Sequence, residues 1–85
     1  MTFSVVWKNQ ARKEFIRLEG AVQLRILRVI TNLEANPRPP GAKKLEGHPD
    51  IWRIRSGDYR VIYTIEDDRL VVLVVKIGHR REVYR

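Results

Sequence analysis

The chain has 85 residues, 44% hydrophobic and 32% charged, enough for one packed domain over residues 1–85 and too little for two cores. It has no cysteine, which excludes a disulfide framework and a thiolate metal site. Its 17 Lys+Arg against 10 Asp+Glu leave a net charge of +7, which favours a polyanionic partner: nucleic acid, an acidic protein or an anionic membrane surface.

The opening MTFSVVWKNQ has no basic stretch followed by a long apolar run, so no signal peptide is expected. The longest apolar run, Leu70 to Val75, falls well short of the about 20 residues needed to span a bilayer. A soluble cytoplasmic protein with no membrane contact is the expectation. Phe3 to Trp7 is apolar and β-branched and predicts a short first strand. Asn9 is placed to cap a helix from Gln10 to Leu18, with Ala11, Phe15 and Leu18 on one face. Gly20 separates it from a longer helix over Ala21–Ala35, where Val22, Ile26, Val29, Ile30 and Leu33 form an apolar stripe. Leu24 and Leu27 fall off that stripe; packing on the first helix is the preferred reading, an exposed groove for a partner the other.

Asn36-Pro37-Arg38-Pro39-Pro40-Gly41 stops the helix, because proline cannot continue it. Ala42 to Gly47 reads as a connector, with Leu45 turned inward and Lys43 and Lys44 in solvent, either free or steering RNA. Asp50 to Tyr63, DIWRIRSGDYRVIY, alternates apolar and basic residues on both sides of a turn at Ser56-Gly57-Asp58 and predicts a hairpin. Leu70 to Ile77 is almost continuously apolar, as in a central strand covered on both faces. The order β-α-α-β-β-β describes an α+β domain, an antiparallel sheet with both helices on one face and the other face open.

Two histidines in different segments make a zinc site improbable, and no metal or cofactor is expected. His48 reads as a loop residue; Trp52, Tyr59 and Tyr63 read as core. The open face would carry Arg53, Arg55 and Arg60, with no acidic residue expected in the same strands. Like charges side by side weaken a sheet, so the cluster reads as an anion site, against the plainer reading of a solvated basic face. His79, Arg80, Arg81 and Tyr84 follow the last strand, and a chain turning back there would rim the arginines. Metal-free RNA cleavage needs removal of the 2′-OH proton, stabilisation of the phosphorane charge and a proton for the leaving 5′ oxygen. Arginines meet the second need, and a tyrosine among cations is drawn towards phenolate. Tyr84 is therefore a candidate base or a terminal anchor, and His79 a stacking or hydrogen-bonding group.

Together, K-L-x-G, the basic alternating strand, G-D-Y-R-V-I-Y and the closing G-H-R-x-x-V-Y resemble the RelE/ParE superfamily of type II toxin–antitoxin toxins, on the RelE side, over nearly the whole length. The resemblance implies a RelE-like, microbial-ribonuclease-like fold. It also implies a toxin that enters the ribosomal A site and cleaves mRNA by 2′-OH attack without metal. A RelB-like antitoxin would neutralise it, and operator DNA would be reached only through that antitoxin. By motif position the catalytic set is Arg53, Arg55, Arg60, Arg80 and Tyr84, with Lys44 near RNA; Lys43, His79 and Arg81 join it as RNA-binding candidates. Two departures stand out. Arg53 and Arg55 occupy positions that are lysines in well-known RelE toxins, and arginine stabilises charge but does not readily exchange a proton. The spacing from Arg80 to Tyr84 is also shorter than in some relatives. A ParE-like inhibitor of DNA gyrase and a basic ribosome- or RNA-binding homologue that does not cut are the alternatives.

Overall fold

The computed structural model describes residues 2–79. Strand β1 (Ser4–Trp7) leads directly into helix α1 (Asn9–Ile16). The Lys8 N–H still bonds to the Val74 carbonyl at 2.9 Å, while the Lys8 carbonyl already accepts the Arg12 N–H at 3.0 Å. Lys8 is therefore the cap, with extended backbone, and Asn9 is the first helical residue instead of the cap that its side chain suggested. Helix α2 (Gly20–Ala35) follows after a short joint. There the Gln23 side-chain amide donates to the Phe15 carbonyl at 3.1 Å, sharing that acceptor with the Leu18 N–H at 3.0 Å and tying α2 to the end of α1.

The remaining strands are β2 (Lys43–Leu45), β3 (His48–Ser56), β4 (Tyr59–Glu66) and β5 (Val71–His79). They form one sheet with β1 in the order β1-β5-β4-β3-β2. Three expectations change here. Lys43–Leu45 is an edge strand and not a connector, and three residues are too few for alternation to reveal it. His48 opens β3 and is not a loop residue. The sheet is mixed: β1 runs parallel to β5, a pairing that the long intervening chain allows. The other neighbours are antiparallel, as the hairpin predicted.

The apolar stripe of α2 meets the sheet as its spacing predicts. Ile26, Ile30 and Leu33, with Ala11 of α1, pack against Ile54, Val61, Tyr63, Val72, Val74 and Ile77. Burying an aliphatic side chain of this size stabilises by about 1.5–3 kcal/mol, so this one layer dominates the fold. Trp7 and Phe15 close the β1–α1 corner edge to face, with ring centroids 5.2 Å apart.

A bulge in β5 explains its continuous apolar run. Tyr63 pairs with Val74 and Ile62 with Lys76, which leaves Val75 as an extra residue. The inward parity passes from Val72 and Val74 to Ile77. Val71, Leu73 and Val75 are only half-buried, so the strand is not covered on both faces. The hairpin closes through Gly57 and Asp58, with Ser56 opposite Tyr59 and a φ of +60° at Gly57, where a side chain would be strained.

Candidate nucleic-acid interface

Residues paired across a sheet lie on the same side of it, so strand register gives the open face directly. One cross-strand row runs Lys43, Arg53, Ile62, Lys76. The next runs Arg55, Arg60, Gly78, with Arg55 directly opposite Arg60. Arg53 and Arg60 are half-buried and Arg55 is exposed. Contrary to expectation, the strands do hold acids, Asp50 in β3 and Glu66 in β4, but both lie towards the strand ends far from the Gly57 turn. Beside the rows, a cleft of about 340 Å³ is lined by Pro40, Gly41, Lys43, Arg53, Ile54 and Arg55. Lys76 is drawn to the sheet margin, where Glu14 of α1 holds its ammonium at 3.3 Å.

Two other predicted residues do not share this face. Lys44 is registered opposite Trp52 on the helix side, its ammonium 5.6 Å from the indole centroid. Neighbouring lysines thus straddle the edge strand, one on each side. His79 stands opposite Tyr59, also on the helix side, with the rings edge to face at 5.5 Å. Arg80, Arg81 and Tyr84 lie outside the described residues. Among the described residues no three His, Cys, Asp or Glu side chains are grouped to hold a metal ion.

Four residues that sequence reasoning passed over make two long-range contacts near these rows. Arg38 forks onto Asp67 at 3.0 and 2.8 Å and lies 5.4 Å from the Trp52 ring, tying the proline-rich loop to the sheet. Its hydrogen bond lowers the Asp67 carboxyl below its ordinary value. Glu14 and Lys76 form the contact at the margin of β5. None of the four carries a local signal, because each contact joins residues far apart in sequence.

A second surface lies on the helices. Leu24 is 62% exposed and Leu27 41%, so the first helix does not cover them as expected. Leu27 lines two adjoining clefts, one with Leu24, Arg28, Thr31 and Asn32 and one with Trp7, Arg12 and Phe15. Together they form an apolar trough with arginines along it.

The family model described as the ParE toxin of type II toxin-antitoxin systems, parDE, matches residues 5–84. The mRNA interferase toxin RelE of Escherichia coli K12 is 33% identical over 99% of this chain and 92% of its own length. This chain belongs to the RelE/ParE family of type II toxins. Among solved structures, the archaeal RelE–RelB complex from Pyrococcus horikoshii OT3 is similar, with a TM-score of 0.84 at 34% identity, covering 98% of this chain and 100% of that one. The isolated E. coli RelE toxin follows with a TM-score of 0.81 at 29% identity, covering 96% and 90%. This chain thus shares the toxin fold of these RelE relatives; in it the α+β arrangement of two helices on one sheet read from the sequence carries an added edge strand, β2.

Proposed function

We propose that this RelE-like toxin is a ribosome-dependent endoribonuclease that cleaves mRNA in the A site by attack of a 2′-OH on the adjacent phosphate. The observation that carries the reading is Arg55 directly opposite Arg60 on the open face, with Arg53 and Lys43 in the next row. Arginine forks match phosphate oxygens in pairs, and two side by side suit the extra negative charge of a phosphorane. Arg53 and Lys43 would follow the backbone of the same strand. Arg80 and Tyr84, by their place in the closing motif, supply a further cation and the candidate base. The guanidinium groups do the charge stabilisation that a metal ion performs in other nucleases, so the proposed reaction uses no metal. Acting on ribosomes places the toxin in the cytoplasm.

The proposed partner is an acidic antitoxin of the RelB kind, as in the solved complexes of relatives. An amphipathic acidic segment fits the trough of Leu24 and Leu27, its carboxylates meeting Arg12 and Arg28. Operator DNA would be bound through that antitoxin.

The ParE description of the family model favours a second reading, inhibition of DNA gyrase. Fold does not separate the two, because function lives in the site. Expression of the toxin with mapping of mRNA ends distinguishes them: cuts within A-site codons support the nuclease, and DNA breaks with uncut mRNA support the gyrase reading. Ribosome association without cuts would mark a binding homologue. Arg60→Ala should lower cleavage by about 10²–10³-fold, the usual effect of removing one charge-stabilising donor, and abolish growth arrest with the fold intact. Full toxicity in that variant would overturn the site assignment.

A further inference from the structure

Beyond Val74, β5 has lost its parallel neighbour, because β1 has already turned into α1. An unpaired strand edge leaves backbone N–H groups without partners and invites fraying. Glu14 stands in for the missing strand. One carboxylate oxygen accepts the Ile77 N–H at 3.0 Å, and the other holds the Lys76 ammonium at 3.3 Å. Both side chains of the ion pair are largely shielded, at 25% and 33% exposure, so the contact is less screened than a surface pair.

The position of the contact gives it consequence. It falls just past the bulge, where the strand has changed parity, and one residue before Gly78, the register partner of Arg60. We infer that Glu14 is a positioning residue, a clasp from α1 that fixes the end of β5 and so holds Gly78 in register beside the Arg55–Arg60 row. The inference rests on the proposed nuclease reading for its effect on cleavage, but not for the clasp itself.

Two measurements on the same variants test it. Amide exchange of the intact protein should show Ile77 exchanging at least about tenfold faster in Glu14→Ala, the loss of one charge-assisted bond. Glu14→Gln keeps an acceptor for that N–H and should protect it nearly as wild type does; Lys76→Ala should do likewise. On programmed ribosomes, Glu14→Ala should lower kcat about tenfold with KM little changed, and Glu14→Gln should recover most of the rate. Unchanged Ile77 exchange in Glu14→Ala overturns the clasp. Faster exchange with unchanged kcat overturns the positioning role. If Glu14→Ala does not fold, Glu14→Gln decides, and a tenfold loss of kcat in it with Ile77 still protected also overturns the positioning role. Should wild type itself leave mRNA uncut, the nuclease reading fails, and the exchange result alone bears on the clasp.

Discussion

Tyr63 links the core to the loop that follows α2. Its ring is fully buried and its hydroxyl donates to the Pro37 carbonyl at 2.8 Å. Burial pushes its hydroxyl up from 10.0 to about 12, with Arg38 opposing weakly. The folded state therefore holds this proton after the unfolded chain has released it. Stability from the neutral phenol is complete below about pH 10 and declines as the pH rises towards 12, by at most about 1.4 kcal/mol per unit. Tyr63→Phe should cost about 0.5–1.5 kcal/mol at neutral pH and flatten that decline; urea denaturation of both proteins at about pH 8 and about pH 11 reads the difference. Alternation predicted Tyr63 as core but not its bond to Pro37, which depends on where a distant loop returns. Lys43 and Lys44 show the same limit. Without β2 there is no pleat to assign them to opposite sides, so the sequence grouped them as one RNA-binding pair.

At the scale of elements, strong periodicity was legible and its exceptions were not. The stripe of α2 and the hairpin face follow from spacing alone, since 3.6-residue and two-residue repeats leave few alternatives. The β5 bulge breaks the two-residue repeat within an apolar run, where every position looks equally inward. Leu24 and Leu27 looked like core because apolar residues usually find cover within a small domain. Their exposure is the more useful result, because a strongly basic toxin offering an apolar trough has a place for an acidic partner. Leu24→Asp should leave stability within about 0.5 kcal/mol, as expected of an exposed position, and leave mRNA cleavage intact. The same change places a negative charge against an acidic segment and removes an apolar contact, so antitoxin affinity should fall by at least about tenfold. Calorimetric titration with the proposed RelB-like antitoxin measures this. Undiminished affinity would move the antitoxin away from the trough and towards the arginine face.

At the scale of the whole molecule, six of the 17 lysines and arginines gather on two surfaces. Lys43, Arg53, Arg55 and Arg60 gather on the open sheet face, while Arg12 and Arg28 line the trough on the helices. Composition alone could not distinguish this arrangement from an evenly basic surface, and the two behave differently in salt. Each phosphate neutralised on a single strand contributes about −0.7 to the slope of log affinity against log salt. Four cations acting together on one strand predict a slope near about −3 for a 2′-O-methyl RNA oligonucleotide, which binds without being cut. Arg55→Gln should reduce the magnitude of that slope by about 0.7, because it removes one contact. Lys13→Gln, which removes an exposed cation from α1 on the far side of the sheet, should leave the slope unchanged. Fluorescence anisotropy across a salt series reads all three proteins. Equal losses in the two variants would mean that RNA responds to total charge and not to the sheet face, and the cross-strand arginine row would then have no special claim on the phosphate.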